Sequence, residues 1–272
     1  MRKLLLAIVG YGLFLSNLAF AKDHYAVVCA PNTKANPEIR QALKWYRDSA
    51  EKKAIYHQTY NMGLAYIKQW VEQHHPKPKT WGVVLDIDET TLDNSWYFYQ
   101  CSSLVPDPAS FSHFVTIPQK SQALPGVVAF TQSVHELGGY VSLISNRDGS
   151  YLDKSGISVL QATINNLKQQ HVTFDQVILA NNKQSAHASD KNPRFNAVIH
   201  GCYVAHEMVW SNKLPAHQVI AYFGDNIQDF PNLKQATVDA LADVAPAYMQ
   251  FGRAYFILPN PLYGSWQANR YE

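Results

Sequence analysis

The sequence predicts an α/β protein built on a doubly wound parallel sheet with a small, mainly helical cap region, and three observations carry that reading. Short apolar runs, Trp81 to Ile87, Tyr140 to Ile144, Gln176 to Ala180 and Val219 to Phe223, alternate with longer stretches of helical character. Several of these runs end in acids, hydroxyls or amides, as strands do when their carboxyl ends gather a site. No long linker, internal repeat or low-complexity tract divides the chain, so residues 22–272 form a single domain.

Taken in order, Arg2 and Lys3 precede an apolar stretch from Leu4 to Phe20, and Ala19-Phe-Ala21 is a small-x-small cleavage site. Residues 1–21 therefore read as a removable signal peptide, with an uncleaved anchor as the alternative; Tyr11, Ser16 and Asn17 interrupt the run and count against it. Asn36-Pro37 looks like an N-cap followed by a first helical residue, which predicts one or two helices over about 36–75, ended by Pro76 and Pro78. Trp81 to Ile87 is the first core strand. Residues 95–123, rich in aromatics and proline without clear periodicity, suit a cap inserted after it. Leu124-Pro-Gly opens a helix that runs through Leu137 and is ended by Gly138-Gly139. The strand Tyr140 to Ile144, a helix from Ser155 to Gln170, the strand Gln176 to Ala180, a helix after Lys191 and the strand Val219 to Phe223 complete the alternation.

Composition narrows the function. Lys and Arg number 23 against 21 Asp and Glu, and the leader, with Arg2, Lys3 and no acid, accounts for the excess, so the mature chain is formally neutral. A binder of nucleic-acid polymers would carry a basic surplus, which is absent; small phosphorylated substrates fit better. Cys29, Cys101 and Cys202 form no Cys-x-x-Cys pair, which argues against zinc. One disulfide and one free thiol are compatible with an oxidising compartment, and the spacing does not say which pair would bond. None of the 11 histidines lies in a His-Glu-x-x-His pattern, and the Gly-x-Ser-x-Gly, P-loop and Gly-x-Gly-x-x-Gly patterns are also missing.

The chemistry concentrates at the strand ends. Asp86 and Asp88 stand at the mouth of the first apolar run, where the change from strand to loop lets two carboxylates diverge around one ligand. Beside Val83, Val84, Leu85 and Ile87 such a pair needs a cation or a proton, and a divalent metal is the economical partner. The run from Gln218 to Phe223 leads through a glycine to Asp225 and Asp229, hard oxygen ligands that suit magnesium. Ser145, Asn146 and Arg147 follow the second strand with phosphate-binding chemistry. Lys191 lies two residues before Pro193, so its ammonium could stand at a helix N-terminus; Lys183 is its competitor. In isolation each set has a plainer reading: carboxylates after a strand serve as turn or cap residues, Ser145-Asn146 as a turn, and Lys191 as a solvated lysine.

Together the ordered set resembles the haloacid-dehalogenase-like phosphatases, and within them the class C acid phosphatases, including the lipoprotein e 5′-nucleotidases. The resemblance rests on Asp86-Ile-Asp-Glu-Thr-Thr-Leu-Asp-Asn-Ser-Trp-Tyr97, Leu124-Pro-Gly126, Phe223-Gly-Asp-Asn-Ile-Gln-Asp-Phe230, Leu258-Pro-Asn-Pro-Leu-Tyr-Gly-Ser-Trp266 and the N-terminal stretch Ser49 to Tyr60. It implies a metal-dependent acid phosphatase acting on small phosphomonoesters, with 5′-nucleotides the leading candidates. Asp86 would be the nucleophile and Asp88 the acid and base. Mg2+ would be held by Asp86, Asp88 (through its backbone carbonyl) and Asp225, with Asp229 acting directly or through a water. Ser145 and Lys191 would hold the transferring oxygens, with Asn146 and Arg147 as nearby second choices. The family's stacking of a nucleoside ring maps here onto Tyr97, Phe114, Tyr263 and Trp266; core packing is the rival role for each. The leader contains no cysteine for lipid attachment, so the expected location is periplasmic or secreted, without a stable membrane anchor. A homodimer is left open. A phosphotransferase of the same fold, or a non-catalytic binding protein on it, are the alternative functions.

Overall fold

The computed structural model describes residue 29 and residues 37–101, 107–117, 121–238 and 244–269; the leader assigned to 1–21 and the Asn36 cap lie outside the described residues. Two helices, α1 (Pro37–Asp48) and α2 (Ala50–His74), precede the first strand. Ser49 separates them because its hydroxyl accepts the Lys52 N–H at 3.0 Å and caps α2. The strands are β1 (Trp81–Leu85), β2 (Leu92–Asp93), β3 (Gln122–Ala123), β4 (Tyr140–Asp148), β5 (Gln176–Ala180), β6 (Met208–Trp210), β7 (Gln218–Gly224) and β8 (Tyr255–Ile257). The main sheet runs β6-β5-β4-β1-β7-β8, parallel except for β6. Helices α5 (Val127–Glu136), α6 (Val159–Gln169) and α7 (Asn192–His200) connect its strands. This is the doubly wound α/β architecture that the alternation of runs predicts.

Both faces of the sheet are buried, which is why its strands read as continuous apolar runs. Val83, Leu85, Val141, Leu143, Val177, Leu179, Ala221 and Phe223 point to the layer made by α2, α5 and α6. Val84, Ile144, Ile178 and Tyr222, one residue out of phase, point to α7. On α2 the buried positions Tyr56, Tyr60, Gly63 and Ile67 follow helical spacing. Gly63 has a specific reason to be glycine: the Phe223 ring fills the place where a Cβ would stand.

The structure corrects several boundaries. α6 starts at Val159 rather than Ser155, because Ser158 is its N-cap and Asp153 folds residues 153–157 into a turn by accepting from the Ser155 and Ile157 N–H groups. β4 continues past Ile144 to Asp148, and its pairing with β5 shifts register between Ser145 and Asp148, leaving Asn146 and Arg147 in an irregular stretch. The segment after β1 contains α3 (Ser95–Cys101) and α4 (Pro108–Thr116), and the β2–β3 pair closes its base. A disulfide joins Cys29 to Cys101 at the end of α3, while Cys202 is a free, exposed thiol. Among the described residues no helix is long and apolar enough to cross a membrane.

Candidate active site

Three parallel strands deliver the site. Asp86 follows β1 directly, and its backbone N–H donates to the Phe223 carbonyl of β7 at 2.9 Å, so its position is pinned to the neighbouring strand. The loop then turns tightly: Thr91 and Leu92 donate backbone N–H bonds to the Ile87 carbonyl at 2.9 and 2.7 Å, and the Thr91 hydroxyl closes on the Asp86 carbonyl at 2.6 Å. Glu89 takes the left-handed conformation, φ 56°, that this turn requires. On β7, Gly224 lacks a side chain because Asp229 folds back into that space. Asp229 Oδ2 accepts the N–H groups of Asp225 and Asn226 at 3.1 and 2.9 Å.

The carboxylates of Asp86, Asp225 and Asp229 offer oxygens that all lie within 4.8 Å of one another. Lys191, at the N-cap of α7 and 4 % exposed, donates to Asp229 Oδ1 at 2.6 Å and also to Asp86 Oδ1. Three carboxylates against one ammonium leave two negative charges, which one divalent cation would cancel. The donors are hard oxygens, and the site therefore fits such an ion. Burial pushes Asp86 well above the usual carboxylate range; Lys191 opposes the shift, and Asp229, Asp225 and Asp88 add to it. Burial, then Asp229 and Glu89, raise Asp225 in the same way. Burial pulls the Lys191 ammonium down, but Asp229 and Asp86 outweigh it and hold it above its ordinary value.

The Asp88 carboxylate stands apart from that cluster. Its Oδ1 accepts from Asn94 Nδ2 at 2.7 Å and from Arg147 Nε and a terminal guanidinium nitrogen at 2.9 and 2.8 Å. Its Oδ2 accepts the Ser145 hydroxyl at 2.8 Å. Arg147 is correspondingly not a substrate ligand here: it is 4 % exposed and committed to Asp88 and to Thr163 at 2.9 Å, because alternation along β4 puts it on the same buried face as Ser145, opposite the exposed Asn146.

Asp86, Asp88, Ser145, Asn146, Lys191, Asp225, Asp229 and Tyr263 line one open cleft of about 260 Å³. Asn146 is exposed on its rim, donating to the Ser189 carbonyl at 3.2 Å and accepting from Arg194. Lys183 is exposed and is not part of this lining, so Lys191 is the lysine of the site. Of the four aromatic candidates, Tyr97 and Phe114 are 1 % and 0 % exposed and fill the interior of the cap against Phe111, which removes them from ring stacking on a ligand. Tyr263 faces the cleft, stacks on Phe98 with centroids 4.9 Å apart and donates its hydroxyl to Glu89. Trp266, 40 % exposed, packs over Gly264 of the cleft wall.

Several contributors lie outside the expected set. Asp225 Oδ1 accepts the Thr90 hydroxyl at 2.9 Å and its Oδ2 the Asn260 amide at 2.8 Å. Ser265 donates to Asn226 at 2.7 Å, so the segment around 258–266 braces the acidic loop from outside. Glu89, fully buried, accepts the Asn94 N–H at 2.8 Å, and burial followed by the Asp88 charge pushes its carboxyl up to about 8. Glu89, Thr90, Asn94 and Asn260 all sit inside the motifs quoted above, but among polar neighbours or prolines, so no local contrast in the sequence marks them out.

Residues 15–266 match the family described as HAD superfamily, subfamily IIIB (acid phosphatase). Among solved structures, the chain is similar to the class C acid phosphatase from Bacillus anthracis with tungstate bound, at 27% identity and TM-score 0.65, covering 85% of this chain and 86% of that one. It is also similar to a second structure of the Bacillus anthracis class C acid phosphatase, at 27% identity, TM-score 0.64 and the same coverage.

Proposed function

The chain belongs to subfamily IIIB of the HAD superfamily, the acid phosphatases, and on that premise we propose that this phosphoric monoester hydrolase works through an aspartyl-phosphate on Asp86, with Mg2+ as its cation and 5′-nucleotides among its substrates. The observation that carries the reading is the division of labour among carboxylates: Asp86, Asp225 and Asp229 share one cluster with Lys191, whereas Asp88 is held separately by Ser145, Asn94 and Arg147. One acid is thereby placed to attack and another to move protons.

Asp86 attacks phosphorus, forming its acyl-phosphate bond as the bond from phosphorus to the leaving oxygen breaks. Asp88 delivers a proton to that oxygen. Asp88 then takes a proton from water, whose attack on phosphorus releases inorganic phosphate and restores Asp86. Lys191 and the Ser145 hydroxyl hold the non-bridging oxygens as charge builds on them. Asp86, Asp225 and Asp229 would hold the cation, which would supply charge neutralisation between nucleophile and phosphate. Tungstate, bound by the Bacillus anthracis relative, is an oxyanion like phosphate. Tyr263 and Trp266 offer ring faces beside the cleft, and stacking of about 1–3 kcal/mol per ring favours monoesters that carry a base. The leader-like N-terminus and the Cys29–Cys101 disulfide support a periplasmic or secreted enzyme.

Hydrolysis of p-nitrophenyl phosphate by residues 22–272 and by Asp86→Asn, each with magnesium and with chelator, tests the mechanism. Activity that needs metal and is lost in the variant supports it, and a panel of nucleoside monophosphates against simple alkyl phosphates then tests substrate class. A variant as active as the parent removes Asp86 as nucleophile.

A further inference from the structure

We infer that Arg147 is a positioning residue for proton delivery: with Asn94 it locks one oxygen of Asp88 so that the other, under the Ser145 hydroxyl, is the oxygen that carries the proton to the leaving group. The inference rests on the role given above to Asp88. Its geometry is asymmetric. Oδ1 faces three donors, Asn94 Nδ2 at 2.7 Å, Arg147 Nε at 2.9 Å and an Arg147 terminal nitrogen at 2.8 Å. An oxygen already surrounded by N–H groups has no room for a proton of its own. Oδ2 has one partner, the Ser145 hydroxyl at 2.8 Å, and a hydroxyl can rotate. When a phosphoryl oxygen claims that hydroxyl, Oδ2 is left facing the cleft, and the proton it bears passes to the departing alkoxide.

The clamp is itself fixed. Arg147 donates its remaining terminal nitrogen to Thr163 of α6 at 2.9 Å, and Asn94 Oδ1 accepts from Ser121 at 2.6 Å, which sets the direction of the amide. All four supporting side chains, Arg147, Asn94, Thr163 and Ser121, are buried. A guanidinium suits this task better than an ammonium, because two donors in one rigid plane converge on the single oxygen Oδ1 and leave Oδ2 to the Ser145 hydroxyl.

A leaving-group comparison tests the inference. Nitrophenolate departs without help, whereas an alkoxide needs the proton, so a loosened Asp88 penalises glycerol phosphate far more than p-nitrophenyl phosphate. For Arg147→Gln the expected kcat/KM falls about 100-fold on glycerol phosphate and under about 10-fold on p-nitrophenyl phosphate, within the range that general-acid catalysis contributes. The magnesium-induced rise in Tm stays as in the parent. Thr163→Val, which leaves Arg147 in place and removes only its anchor, shifts the substrate ratio the same way by a few fold, and it decides the matter should Arg147→Gln fail to fold. Equal losses on both substrates, or none, in the folded variants overturn the inference. Asp88→Asn run alongside separates the two layers: if it is not selective for the alkyl ester, the role of Asp88 itself fails, and if it is selective while the Arg147 and Thr163 variants are not, only the positioning role fails.

Discussion

Replacing Lys191 by methionine removes the one cation from a cluster of three carboxylates while nearly preserving side-chain volume. The ammonium serves both Asp86 and Asp229, and all three side chains are at most 7% exposed. Deleting one partner of a buried pair costs about 3–5 kcal/mol, and here two carboxylates lose the same partner, so the upper part of that range is expected in chelator near pH 8. For a protein of this size that corresponds to a fall in Tm of roughly 10 °C or more. The sign with pH follows from Asp86, whose carboxyl burial already raises: lowering the pH lets it take a proton and dispense with the missing ammonium, so the penalty shrinks toward pH 5. Magnesium acts in the same direction by supplying the lost positive charge, so its stabilising effect is larger in Lys191→Met than in the parent. Urea unfolding at about pH 5 and pH 8, with chelator and with magnesium, measures all three quantities. A cost below about 1 kcal/mol in chelator near pH 8, a penalty that grows on acidification, or an unchanged magnesium response would refute the reasoning.

Three further outcomes follow from the same site. Glu89, raised from 4.5 to about 8, binds a proton more tightly folded than unfolded, so it adds stability that is complete below about pH 4.5 and lost as the pH rises to 8, on the order of 5 kcal/mol in all; Glu89→Gln in chelator flattens that slope, and identical urea midpoints against pH in both proteins would dismiss it. Asn260→Ala withdraws the amide from Asp225 Oδ2 and lowers magnesium affinity about 10–100-fold by calorimetry on the metal-free protein, whereas an unchanged affinity means that Thr90 suffices. Reducing the Cys29–Cys101 bond, which spans 72 positions, lowers stability by about 2–4 kcal/mol, and a Cys29→Ser, Cys101→Ser double variant no longer responds to reductant.

The central strands were legible because burial on both faces makes them apolar at consecutive positions, so β1, β5 and β7 announce themselves without any partner being known. The edge strands were not. β6 and β8 have three residues each, too few for a period, and they exist because β5 and β7 offer them unpaired backbone groups. The cap aromatics fail for a related reason. An aromatic side chain states that area will be covered, not from which side, and in the cap the rings of Tyr97, Phe111 and Phe114 cover one another.

In the site, residue type and order sufficed to gather the acids, Ser145 and Lys191 at one sheet edge, since each follows a strand or opens a helix whose position the topology dictates. Arg147 misleads because a guanidinium after Ser-Asn suggests a phosphate ligand when residue types alone are weighed. Strand geometry tells otherwise: positions i and i+2 share a face, so Ser145 and Arg147 meet the same neighbour. That neighbour is a carboxylate at the mouth of an apolar strand, in need of a positive partner once desolvated. Lys191 answers Asp86 and Asp229. Asp88, separated from that cluster, must be answered by another cation, and Arg147 is the one that the strand turns toward it. The same requirement that demands a cation among Asp86, Asp225 and Asp229 thus demands the arginine behind Asp88, and the two carboxylates of the first motif are held in different surroundings because they acquire different counter-charges.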